Sequence, residues 1–124
     1  MVRMCVLHHG SSKYLACFMP NSKNLLRYHV KNDERSEFAQ DLPFSTPGFP
    51  EGNMVFLSEN VVLYCGEWVA SGDGTELVHT YDFELQHQER KADMITRRNQ
   101  HAMAMVEGNV YVLGGYDNGN TLNQ

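Results

Sequence analysis

The amino-acid sequence predicts an all-β fold made of small antiparallel sheets repeated along the chain. Three observations predict it: stretches that overlay at a spacing near 50 residues, short β-branched and aromatic runs between turn residues, and a Pro/Gly-rich connection. Met54-Val-Phe-Leu-Ser-Glu-Asn-Val-Val-Leu-Tyr-Cys-Gly66 overlays Met103-Ala-Met-Val-Glu-Gly-Asn-Val-Tyr-Val-Leu-Gly-Gly115, 49 residues on and without a gap. Asn60-Val61 then falls on Asn109-Val110, and Gly66 on Gly115. A fainter copy places Tyr14-Leu15-Ala16-Cys17 on Val62-Leu63-Tyr64-Cys65, 48 residues on, and Tyr28 on Tyr81, 53 residues on. A period of this length with strand content points to four-stranded propeller blades rather than helical repeats.

The first repeat supplies strands at Met4–Leu7, Tyr14–Phe18, Leu25–Val30 and Glu37–Leu42. The second supplies Asn53–Leu57, Val61–Cys65, Glu76–Phe83 and a weaker Glu89–Met94. In the third, His101–Val106 and Val110–Leu113 are predicted, and the chain then stops where a third strand is due. The near-continuous apolar character of Val61–Tyr64 and Val110–Leu113 predicts burial on both faces. Ser58-Glu59-Asn60 and Glu107-Gly108-Asn109 sit between apolar runs, as hairpin turns do. The segment from Glu84 to Met94 has a helical composition, yet the repeat register requires a turn and a strand there, and register takes precedence. Three prolines and two glycines between Leu42 and Gly52 forbid regular structure where a connection between repeats belongs.

With 124 residues, 42% of them hydrophobic, the chain has the length and composition of one globular domain. A formal net charge of −5 opposes nucleic-acid binding, and Arg97-Arg98 is too small a basic group to track phosphates. The run Met4 to Leu7 is too short for a signal-peptide core or a membrane span. Three cysteines (Cys5, Cys17 and Cys65) make poor material for a disulfide framework and point to a reducing, cytoplasmic setting.

From Tyr81 to about Asp117 the chain resembles the kelch repeat. Tyr81-Asp82 is similar to the family's Tyr-Asp at the end of the third strand, and Met94 stands where the family has Met. Arg98-Asn99-Gln100-His101 is similar to its Arg-x-x-His, and Asn109 to Gly115 to its second strand and glycine pair, Gly114-Gly115. The second repeat departs from this pattern with Cys65-Gly66 in place of the pair. The family's fourth-strand tryptophan is missing near Gln88, and Trp68 falls in a loop. The resemblance implies about two and a half four-stranded antiparallel blades of a kelch-type β-propeller, with the ring incomplete. Residues 1–44 form a degenerate first blade, 45–95 a second, and 96–124 the first half of a third, in a truncated chain.

Chemistry finds little support. Cys5, His8, His9 and Cys17 are soft ligands in a short window, but their spacing matches no paired zinc pattern, so no metal or cofactor is expected. Ser11-Ser12 lacks a nucleophile elbow, and the glycine-rich tail after Gly114 lacks the helix that a phosphate loop needs. The resemblance implies instead a non-enzymatic, protein-binding scaffold whose inter-strand loops hold a partner protein. Those loops carry Arg97, Arg98, Asn99 and Gln100, then Glu67 and Trp68, then Tyr116, Asp117 and Asn118. Arg is suited to gripping carboxylates, and aromatic residues dominate interface energies. Arg98 has a second role open to it, pairing with a neighbouring acid to brace adjacent blades. The alternatives are a propeller-fold enzyme, a fragment without function of its own, and self-association through open blade faces.

Overall fold

The computed structural model describes residues 4–9, 12–18, 23–29, 34–39, 42, 52–67, 75–117 and 120–124, with side chains for all of these except 4–9, 12 and 34–39. Among the described residues every regular element is a strand. The first sheet is antiparallel in the order β1 (Met4–His9), β2 (Ser12–Phe18), β3 (Leu25–His29), β4 (Glu34–Ala39). The second is built the same way from β5 (Asn53–Phe56), β6 (Val61–Cys65), β7 (Val78–Asp82) and β8 (His87–Arg90). Two hairpins follow, β9 (Ala102–Val106) with β10 (Asn109–Leu113), and β11 (Tyr116–Asp117) with β12 (Asn120–Thr121). These small antiparallel sheets have the form of the propeller blades that the repeat predicts, and among the described residues they do not close a ring.

The core lies between the first two sheets. Ala16, Phe18 and Leu25 face Met54, Phe56, Val62, Tyr64, Tyr81 and Phe83 in one buried cluster, with Tyr14 packed against it. Strand alternation makes this possible: Met54 pairs with Tyr64 and Phe56 with Val62, so all four project to the same face. Phe18 meets Tyr64 edge-on at 5.6 Å, and Tyr81 meets Phe83 edge-on at 5.1 Å. Arg27, buried in the same region, lies over the rings of Tyr14 and Phe83 and donates to Asn60 Oδ1 at 2.8 Å and to the Glu59 carbonyl. One cation thereby ties the first sheet to the β5–β6 turn.

Several expectations need correction. The fourth strand of the first sheet runs Glu34–Ala39 rather than Glu37–Leu42, and that of the second His87–Arg90 rather than Glu89–Met94. Between β7 and β8 the chain turns because the Asp82 carboxylate accepts the N–H groups of Glu84 and Leu85, at 2.9 and 3.0 Å. The helical composition of that segment therefore yields to a side-chain-capped turn. After Leu113 the two-residue β11 and β12 pair with each other and, among the described residues, do not extend the β9–β10 sheet. Burial on both faces is not found: β6 alternates, and β10 leaves Tyr111 and Leu113 51% and 62% exposed.

The overlay also carries a one-residue slip. Two residues, Glu107 and Gly108 at φ 49° and 81°, join β9 to β10, with Val106 opposite Asn109. That is a tight primed turn. The β5–β6 connection is longer, with Phe56 opposite Val62 and Leu57 N–H bonded to the Val61 carbonyl. Positions that share a face are thus 49 apart from β5 to β9 but 48 apart from β6 to β10. Tyr28 and Tyr81 are likewise not equivalent, because Tyr28 pairs with Leu15 and Tyr81 with Val62. Of the Pro/Gly-rich connection, residues 43–51 lie outside the described residues, while Leu42 and Gly52 at its ends are buried.

Candidate functional site

The segment from Thr96 to His101 crosses from the second sheet to the β9–β10 hairpin, and backbone pairing holds it on both sides. Arg98 bridges Thr75, its N–H donating to the Thr75 carbonyl at 3.2 Å. Asn99 bridges Tyr116 through two reciprocal backbone bonds of 2.9 Å. Gly115, at φ 94°, permits that approach, since a Cβ there would collide with the Asn99 carbonyl. Gly66, at φ 75°, does the same on the other side, where a Cβ would run into the His101 ring and lie 2.8 Å from the Arg98 carbonyl. Gly66 and Gly115 therefore serve close packing of this crossing segment, whereas Gly114 is required by its φ of 69°.

Its side chains divide by burial. Arg98 is 7% exposed, and its Nη1 donates to the carbonyls of Gly114 and Gln124, both at 2.8 Å. Gly114 N–H in turn donates to the Gln124 carbonyl, and Leu122 N–H to that of Gly115. The guanidinium thus fastens the end of β10 and the terminal residues to the crossing segment through backbone oxygens. Asn99 is 3% and His101 5% exposed, and Glu67 is also buried. The His101 carbonyl accepts Asn53 Nδ2 at 2.9 Å, linking β5 to the start of β9.

What remains at the surface is a short rim. Arg97 is exposed and pairs with Asp117 at 3.3 Å, Gln100 is exposed at φ 51°, and Tyr116 is partly exposed beside them. The exposed ion pair is worth at most about 1 kcal/mol, so it positions side chains more than it stabilises the fold. Trp68 and Asn118 lie outside the described residues. Tyr81 is in the core, Asp82 caps the β7–β8 turn, and Met94 holds its place through a 2.8 Å bond from its N–H to the Glu76 carbonyl. The crossing segment therefore brings Arg97 to Asp117 and Asn99 to Tyr116, with Gln100 exposed next in the chain, while Glu67, Arg98, Asn99 and His101 are buried.

Sequence reasoning missed Arg27, whose place over two rings depends on residues up to 56 positions away. It also missed the contact of Cys65 with His101 and Met103. The one available signal was that the gapless overlay sets Cys65 on Gly114. On the outer part of the second sheet, Leu57, Val61, Leu85 and His87 line a groove of about 220 Å³, below the size usual for small-molecule sites.

Residues 97–124 match the family model of the Kelch motif. No curated protein matches the chain significantly. The match begins at the exposed Arg97, takes in the crossing segment, the β9–β10 hairpin and the glycine pair, and ends at the residue whose carbonyl accepts Arg98; over this part, well under half of the chain, the sequence is similar to a kelch motif.

Proposed function

We propose that the chain is a protein-interaction scaffold that holds a partner protein through the rim at Arg97, Gln100, Tyr116 and Asp117 and performs no chemistry. The observation that carries this reading is the division of labour along the crossing segment. Buried Arg98, Asn99 and His101 hold the backbone, and polar and aromatic side chains are left outward on a rigid support. Rigid aromatic and Arg side chains at low ordering cost are what interfaces use as anchors. The reading takes residues 1–44, 45–95 and 96–124 as successive blade units, with Glu67, Trp68 and Asn118 flanking the rim, in a cytoplasmic setting. The test is affinity capture with the wild-type chain and with Arg97→Ala/Tyr116→Ala, whose melting point is expected to be unchanged. A protein held by the first and released by the second supports the rim. Equal capture by both places the interface elsewhere.

A second reading, self-association, has its own observation. Ala102, Ala104, Val106, Tyr111 and Leu113 share the outward face of the β9–β10 hairpin, while Met103 on the other face meets Cys65. Each sheet thus receives the next on one face, and this face is next in that series. A second copy would seat the face of its first sheet that carries the half-buried Leu15, Cys17 and Leu26. Sedimentation should show a discrete oligomer that Tyr111→Lys/Leu113→Lys dissociates. A monomer at all concentrations removes this reading.

A further inference from the structure

The junction of β6 and β9 gathers three soft donor atoms that the interaction reading does not use. Cys65 closes β6, is 2% exposed, and by strand pairing is the counterpart of Leu113 in β10. Its Sγ lies 3.6 Å from His101 Nε2 and 3.7 Å from Met103 Sδ. All three residues are held from outside the cluster. Cys65 is paired in the sheet with Asn53 and Val78, His101 is packed on Gly66 and tied through its carbonyl to Asn53, and Met103 is paired with Val112.

We propose that Cys65, His101 and Met103 form a binding site for a soft monovalent metal ion, Cu(I) by its chemistry. A cation about 2.3 Å from each sulfur and about 2.0 Å from an imidazole nitrogen, at tetrahedral to trigonal angles, holds its donors roughly 3.6–4.0 Å apart. The two distances from Cys65 Sγ have that spacing before any ion enters. Thiolate, thioether and neutral imidazole are the donor set that selects Cu(I) over harder ions. Charge balance selects the same valence. On binding, the Cys65 S–H proton leaves to solvent and an S–metal bond replaces it, while His101 Nε2 and Met103 Sδ each donate a lone pair. The ion enters as Cu(I) and no electron moves. A monovalent ion leaves the buried cluster neutral, whereas a divalent one leaves a net positive charge close to Arg98, which burial penalises. Met103 is only half-buried, so the cluster is not sealed on its side.

The test uses the full chain carrying Cys5→Ser and Cys17→Ser, so that the other thiols take no ion. Cu(I) is delivered anaerobically against a chromogenic chelator, with Ag(I) as a redox-inert probe. One equivalent should bind and raise the melting temperature, with sulfur and nitrogen ligation in the X-ray absorption spectrum. Cys65→Ala should abolish that equivalent. Met103→Leu, which conserves volume and keeps the fold if Cys65→Ala does not, should weaken binding about tenfold or more. Retention of the equivalent in Cys65→Ala overturns the site, as does an affinity of Met103→Leu within about twofold of its parent, which reduces the cluster to a cysteine acting alone.

Discussion

Replacing Arg98 with Ala separates a brace from an interface residue. The guanidinium makes two charge-assisted bonds, to the Gly114 and Gln124 carbonyls at 2.8 Å, while its Nε is buried without a hydrogen-bond partner among the described residues. Two such bonds at about 1.5–2 kcal/mol each, less about 1 kcal/mol for the unsatisfied Nε that the substitution removes, leave a loss of about 2–3 kcal/mol. For a chain of this size that corresponds to roughly 6–12 °C in melting temperature. Urea unfolding followed by circular dichroism gives the free energy directly, provided the transition is cooperative. Arg98→Lys should recover part of the loss, because an ammonium supplies the charge and the donors but not the same reach. A change below about 0.5 kcal/mol for Arg98→Ala would refute the bracing role, since a buried, doubly bonded guanidinium is not silent when removed.

Two further predictions use other parts of the fold. Gly66→Ala should cost about 3–4 kcal/mol, combining a left-handed backbone with collision against the His101 ring and the Arg98 carbonyl. Gly108→Ala has a similar φ but open space around it, and should cost about 1 kcal/mol; equal losses in paired urea titrations would show that packing at Gly66 is not decisive. His79 stacks on Tyr64, and burial first, then Arg90, holds its imidazole below the ordinary 6.5 against the opposing pull of Asp93. The unfolded chain therefore takes up this proton first as pH falls, so the contribution of His79 is present above about pH 6.5 and is lost below it. Melts between about pH 7.5 and about pH 5.5 should show that decline, and His79→Gln should flatten it; an unchanged slope would place the sensitivity elsewhere.

Strand content and the order of the hairpins were legible in the sequence. β-Branched and aromatic runs such as Val61–Cys65 and Asn109–Leu113 act within a few residues, and so do turn formers such as Gly108 and Asp82. The repeat spacing was legible too, because equivalent strands keep equivalent chemistry. The one-residue slip between β6 and β10 was not, because it depends on which turn closes each hairpin, and that turn decides which face every following side chain takes.

The candidate site divides along the same line. Arg97 to His101 were marked by their residue types, and the sequence by itself determined that this polar segment precedes an apolar hairpin and a glycine pair. It could not assign Arg98 to bracing or to binding, because the carbonyls that receive its Nη1 are 16 and 26 residues further on. Nor could it bring Cys65 to His101 and Met103, 36 and 38 residues away. Propensity, turn chemistry and alternation are local and are written in neighbouring residues. Burial, charge pairing and donor clustering arise where one sheet packs on the next, and the tertiary structure alone decided them.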